Sequence, residues 1–155
     1  MSMGFVFHDR AKSSFILEDE LLFAIRNFVL MNADAELHCT TALSALGLGA
    51  DFLSRAPFSL SMGEARRVAL ASVLVHQPDA FLLDEPTAGL DAFGFDVVQS
   101  LLLRLKSQRK TILFASHDME LVGATASRVI VLADGIVKSE KQITDRSGQA
   151  TATNT

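Results

Sequence analysis

Apolar residues fall along this chain in two alternating periods, short continuous runs and longer stretches with helical spacing. Gly4 to Phe7 is a short run rich in Phe and Val, which predicts a buried strand ending at His8, with a polar loop from Asp9 to Ser14 behind it. From Glu18 to Met31 the residues Leu21, Leu22, Ile25, Phe28 and Val29 recur at three- and four-residue steps. Glu18, Asp19 and Glu20 occupy the first turn, where the helix dipole favours acids, so an amphipathic helix is expected. A second helix is expected from Asp34 to Leu46, with Leu37, Leu43 and Leu46 facing inward and Gly47 as a left-handed stop. Cys39 within it reads as a buried small side chain.

The pattern changes after Pro57. Ser61 is placed to cap a helix that begins with Gly63 and Glu64 and continues from Ala65 to Gln77, with Val68, Ala69, Ala71, Ser72 and Val75 on its inner side. Pro78 closes it. Ala80 to Leu83 is an uninterrupted apolar run directly before Asp84, as expected of a strand buried on both faces of a parallel sheet. Helical spacing returns from Phe93 to Leu105. A second apolar strand is expected at Thr111 to Ala115, a short helix at Asp118 to Ala126, and a third strand at Arg128 to Leu132. Strands alternating with helices imply right-handed crossovers and a parallel sheet. Asp134-Gly135 between two Val/Ile-rich runs predicts a two-residue hairpin and a further strand at Ile136 to Lys138. Residues 143–155 carry too few apolar side chains to pack and are expected to form a disordered tail.

Composition narrows the class. Of 155 residues 49% are apolar, enough for one domain with a hydrophobic core. The formal charge of -4 argues against a nucleic-acid partner held by phosphate contacts. Charged residues interrupt every apolar run before membrane-spanning length. The first ten residues lack the order of a secretory signal and Cys39 has no second cysteine to pair with, so a reducing, cytosolic setting is expected.

The candidate chemistry is concentrated in three segments. In FLLDEPTAGLD, Phe81 to Asp91, an apolar strand delivers Asp84 and Glu85 to its C-terminal end, the edge at which open α/β sheets bind ligands. Alternation along the strand lets one carboxylate hold a Mg²⁺ shell while the other reaches a water. A solvated loop or a helix start would also accept Asp-Glu before Pro. In LSMGE, Leu60 to Glu64, a Ser and a Gly open a helix, which makes either an anion site or a plain cap. In LFASHD, His117 follows a strand expected to be buried and reaches the same sheet edge as Asp84, as a catalytic group or as a structural hydrogen-bonder. Arg66 and Arg67 read as a solvated helix face, with acidic partners as the alternative.

Taken in this order, the segments resemble the C-terminal two-thirds of an ABC-type ATPase, the nucleotide-binding domain of ABC transporters, over Gly4 to about Lys141. GFVF followed by a polar residue is similar to the Q-loop strand of energy-coupling-factor and cobalt-type importers. The resemblance implies a partial P-loop NTPase (RecA-like) α/β fold. It places a helical signature subdomain at about 14–77 and a core from the Walker B strand to the H-loop at about 78–142. It implies ATP and Mg²⁺ as cofactors. Asp84 would hold Mg²⁺, Glu85 would polarise the attacking water, and His117 would contact the γ-phosphate. Ser61 and Gly63, with Glu64 beside them in the signature, would bind the γ-phosphate of ATP held by a second ABC ATPase protomer. Asp91 would cross that dimer interface, and His8 would stand at the Q-loop. A transmembrane permease subunit would be the other partner, on the cytoplasmic face of the cell membrane, and ATP hydrolysis would drive solute import.

Three departures accompany the resemblance. None of the nine glycines is followed by Lys, so no GxxxxGK[ST] phosphate loop is present, and an N-terminally incomplete domain with doubtful autonomous activity is expected. His8 stands where the family has Gln, and imidazole is a poor Mg²⁺ ligand. Met62 replaces a Gly and Glu64 replaces a frequent Gln, which threatens phosphate approach through bulk and charge unless the carboxylate pairs. The alternative role is that of a non-catalytic half-site that supplies LSMGE in trans to a complete ATPase, or of a truncated remnant.

Overall fold

The computed structural model describes residues 3–6 and 35–143. His8, the loop at 9–14, the helix expected at 18–31 and all but the first residue of the expected tail lie outside them. The described residues belong to two compact units, Met1–His117 and Asp118–Thr155.

The first unit is built on a parallel sheet. Strands β1 (Met3–Val6), β2 (Ala80–Asp84) and β3 (Thr111–Ala115) lie side by side in that order, with Gly4 opposite Phe81 and Asp84 opposite Ala115. The central strand β2 is the buried one, with Ala80, Phe81 and Leu83 almost fully enclosed, as its apolar run predicts. Strand β3 corrects the expectation of a second buried strand. Its residues alternate between exposed and half-buried, and Leu113 is 61% exposed, because among the described residues β3 is a terminal strand of this sheet and is covered less completely than the central β2.

Three α-helices accompany the sheet among the described residues of this unit. Helix α1 (Ala35–Ser44) stops two residues earlier than expected, and the turn that follows it closes at Gly47, whose φ of +67° is the left-handed stop expected there. Leu43 and Leu46 are fully buried, as is Cys39, whose thiol pKa burial pushes up. Leu37 is a correction: it is 67% exposed, on the opposite side from those three. Helix α2 (Met62–Val75) buries Ala65, Val68, Leu70, Ala71, Ser72 and Val75, while Ala69 is only half-buried. It stops two residues earlier than expected, since Gln77 takes φ +46° before Pro78. Helix α3 (Ala92–Ser107) packs Val98, Leu101, Leu102 and Leu105 into the same core. Each of these enclosed leucines contributes about 1.5–3 kcal/mol through removal from water.

The second unit holds helix α4 (Met119–Thr125), capped by Asp118, and strands β4 (Arg128–Ala133) and β5 (Ile136–Gln142). Strand β4 was expected to join the parallel sheet. Instead it pairs antiparallel with β5 in a two-stranded sheet, because Asp134 and Gly135 both take positive φ and fold the chain back on itself. Pairing of Arg128 with Gln142 carries β5 four residues beyond its expected end at Lys138.

Candidate functional site

The end of β2 is where the first unit concentrates polar groups. Asp84 is the last strand residue and is half-buried. Glu85 follows with φ +48°, a left-handed conformation that costs an ordinary residue about 1–2 kcal/mol. Its backbone N–H donates to the Ala115 carbonyl at 2.9 Å, which extends the β2–β3 ladder by one bond and fixes the turn beside β3. The Glu85 carbonyl accepts from Ala88 N–H at 3.1 Å, and the buried Pro86 and Thr87 anchor the loop between them.

This turn aims the Glu85 side chain along the edge of the sheet. Its Oε1 lies 2.8 Å from His117 Nδ1, and Ser116 Oγ donates to Oε2 at 3.4 Å. His117 is largely exposed, whereas Glu85 is only 21% exposed. The pair therefore has a sheltered carboxylate and an imidazole open to an incoming group. Such a carboxylate is suited to accept a proton from water, and such an imidazole to meet a phosphate oxygen.

A second polar centre lies at the start of α2. Ser61 Oγ accepts from Glu64 N–H at 3.2 Å, and Glu64 Oε2 accepts from Ser61 N–H at 2.8 Å, a reciprocal capping box. Glu64 Oε1 also meets Arg55 Nη1 at 3.3 Å. Donation from the Ser61 amide, then from its hydroxyl, holds the Glu64 carboxyl below its ordinary pKa. The added carboxylate thus pairs within its own helix cap. Met62 is 76% exposed, and its thioether lies along Gly89: a Cβ built there would come within 3.2 Å of the sulfur. Gly63 faces the same loop, since a Cβ on it would lie 3.6 Å from Leu90 Cδ2. Asp91 caps α3, its Oδ1 accepting from Gly94 N–H at 2.8 Å.

The two arginines after the cap overturn the expectation of a solvated face. Both are half-buried. Arg66 Nη2 donates to the Asp84 carbonyl at 2.6 Å and also to the Glu85 carbonyl. Burial pushes the Arg66 guanidinium below its ordinary pKa, and the Asp84 and Glu85 carboxylates oppose that shift. Arg67 Nη1 donates to the Leu46 carbonyl at 3.1 Å, and its guanidinium stands 5.5 Å from the Phe93 ring centre. No local feature marks these roles, because Arg66 in α2 and its acceptors at the end of β2 lie 18 and 19 residues apart in the sequence.

The structure therefore brings Glu85 to His117, with Asp84 adjoining, and gathers Ser61, Gly63 and Glu64 at one helix start. Among the described residues no group of three or more His, Cys, Asp or Glu side chains is arranged to hold a metal. The half-buried Asp84 still fits Mg²⁺, which takes one or two carboxylates and keeps its remaining positions for water and phosphate.

Comparison with known proteins identifies the class. The family model described as ABC transporter matches residues 2–88, and the chain belongs to that family. The chain is 42% identical over 125 residues to the energy-coupling factor transporter ATP-binding protein EcfA2 of Leuconostoc mesenteroides. It is 43% identical over 118 residues to EcfA2 of Thermotoga maritima. These matches cover 81% and 76% of the chain, which spans 44% of the length of each relative. Among solved structures, cbiO1 from Clostridium perfringens, part of the ABC transporter complex cbiONQ, matches with TM-score 0.67 and 30% identity over 91% of this chain and 57% of its own. The dimeric ABC transporter cassette MJ0796 shares the fold at TM-score 0.73 and 24% identity, over 91% of this chain and 62% of its own. The fold is that of an ABC cassette with a parallel sheet, as the motif order implies.

Proposed function

We propose that this chain is a portion of the ATP-binding subunit of an energy-coupling-factor type importer, acting on the cytoplasmic face of the membrane beside a permease. The observation that carries the proposal is the Glu85–His117 contact at the C-terminal edge of β2, in the same compact unit as a formed signature turn. Asp84 would hold Mg²⁺, which would supply charge neutralisation at the phosphates, while Glu85 would polarise the attacking water and His117 would meet the γ-phosphate. Ser61 and Gly63 present the α2 N-terminus to nucleotide held by a second ATPase protomer, with Glu64 fixing that turn. Asp91 serves the protomer interface from the first turn of α3, and His8 takes the Q-loop position. The division into a helical part at about 14–77 and a core at about 78–142 belongs to this proposal.

A specific feature favours a second role. No glycine in the chain precedes Lys, so the backbone cradle for β- and γ-phosphates is not among its residues, while Ser61 and Met62 are exposed at a complete helix start. The chain then supplies its signature in trans to a complete ATPase. Mixing the chain with a complete energy-coupling-factor ATP-binding protein separates the two roles. Loss of added ATP turnover by 10²-fold or more on Glu85→Gln, on the scale of about 10²–10⁴ for a general base, supports catalysis at this chain's own site. Loss on Ser61→Arg with no effect of Glu85→Gln supports the trans role. Insensitivity to both substitutions refutes both.

A further inference from the structure

We propose that Arg66 is the positioning residue for Glu85: reaching from α2, it pins the left-handed turn that holds the Glu85 carboxylate against His117. The chemical consequence rests on the role proposed above for Glu85, while the positioning itself does not.

The geometry is specific. The carbonyls of Asp84 and Glu85 flank the Glu85 Cα on its two sides, so their relative orientation is set by that residue's own φ and ψ. One nitrogen, Arg66 Nη2, donates to both. A guanidinium that holds two successive carbonyls together fixes the dihedral pair between them. That pair is an unusual one, since Glu85 has φ +48° where glycine would be the unstrained choice. Glycine would relieve the backbone and delete the carboxylate. The arginine instead stabilises the turn while the carboxylate is kept, through charge-assisted bonds of about twice the strength of neutral ones.

The anchor itself is well held. Arg66 lies one turn into α2, and its neighbours Ala65 and Val68 are buried in the core. Its acceptors are also tied from the far side, by Glu85 N–H to Ala115 and by Ala88 N–H to the Glu85 carbonyl. The turn is thus clamped between α2 and β3, and His117 follows β3 by two residues. Release of the α2 side leaves the turn free to leave the left-handed region, which carries the Glu85 side chain away from the imidazole. Lysine keeps the charge and several donors on one nitrogen, but lacks the planar guanidinium that fixes the directions of the two Nη2 N–H bonds.

Residue-resolved amide hydrogen exchange on the full chain tests this, with His117 ring ¹⁵N shifts as a second readout. In Arg66→Gln the Glu85 and Ala88 amides should exchange about tenfold or more faster, as expected for loss of a charge-assisted bond. The Leu101 and Leu102 amides of α3 should keep their rates. The His117 shift should move toward that of Glu85→Ala, and Arg66→Lys should fall between. The proposal is overturned if exchange rises equally in α3 and in the turn, which marks a general structural role, or if the His117 shift stays at its wild-type value. Should Arg66→Gln not fold, Arg66→Lys decides by the same two readouts. Neither readout needs ATP turnover, so a failure of the ATPase role leaves this test intact.

Discussion

At the start of α2, Ser61 and Glu64 satisfy each other across three residues; at the end of β2, the Glu85 turn is held by Arg66, Ala115, Ser116 and His117, all distant in sequence. The first turn is a product of local chemistry, and any helix beginning S-x-x-E tends to form it. The second exists only when β2, β3 and α2 are already packed. A left-handed glutamate is unfavourable alone and is stabilised by tertiary contacts that supply more than its cost of about 1–2 kcal/mol. The difference predicts opposite sensitivities. Core damage should loosen the Glu85 turn, and cap damage should leave it in place.

Leu83→Ala should have the largest effect. Leu83 is 3% exposed in the strand that delivers Glu85, and truncation of such a residue costs about 2–5 kcal/mol. Urea unfolding should show that loss, and the Glu85 amide should lose protection with it. Ser61→Ala should cost about 1 kcal/mol, within the usual range for a lost N-cap. The His117 ring shift should be unchanged in that variant, and a change would break the distinction between the two turns. The smallest effect is that of pH on the cap. The folded Glu64 pKa lies below the unfolded one, so its contribution is present above about pH 4.3 and is lost as pH falls through the depressed folded value. Wild type should therefore be more stable than Glu64→Gln at neutral pH, and the gap should close in acid.

The same distinction decides what could be read from the residues. The capping box follows from Ser61 and Glu64 alone, and the Asp134-Gly135 hairpin follows from its dipeptide. The apolar run of β2 gave its burial, because a central parallel strand needs apolar side chains on both faces. The similar run of β3 misled: composition does not say which strand lies outermost, and Leu113 is exposed for that reason. Leu37 misled in the same way, since helical spacing alone does not settle which side is covered. Motif order pointed to Glu85 and His117 together. Arg66 was invisible, because its acceptors are backbone carbonyls, which every residue has and which leave no trace in a sequence.

The central proposal is that Glu85 and His117 form the catalytic edge of an ABC cassette beside the signature turn at Ser61–Glu64, and that none of residues 1–155 supplies a GxxxxGK[ST] phosphate cradle. Titration of the chain with Mg·ATP, followed by calorimetry, tests it most directly. The account predicts no saturation up to about 1 mM ATP for the chain alone. Saturable binding with a micromolar dissociation constant would contradict it.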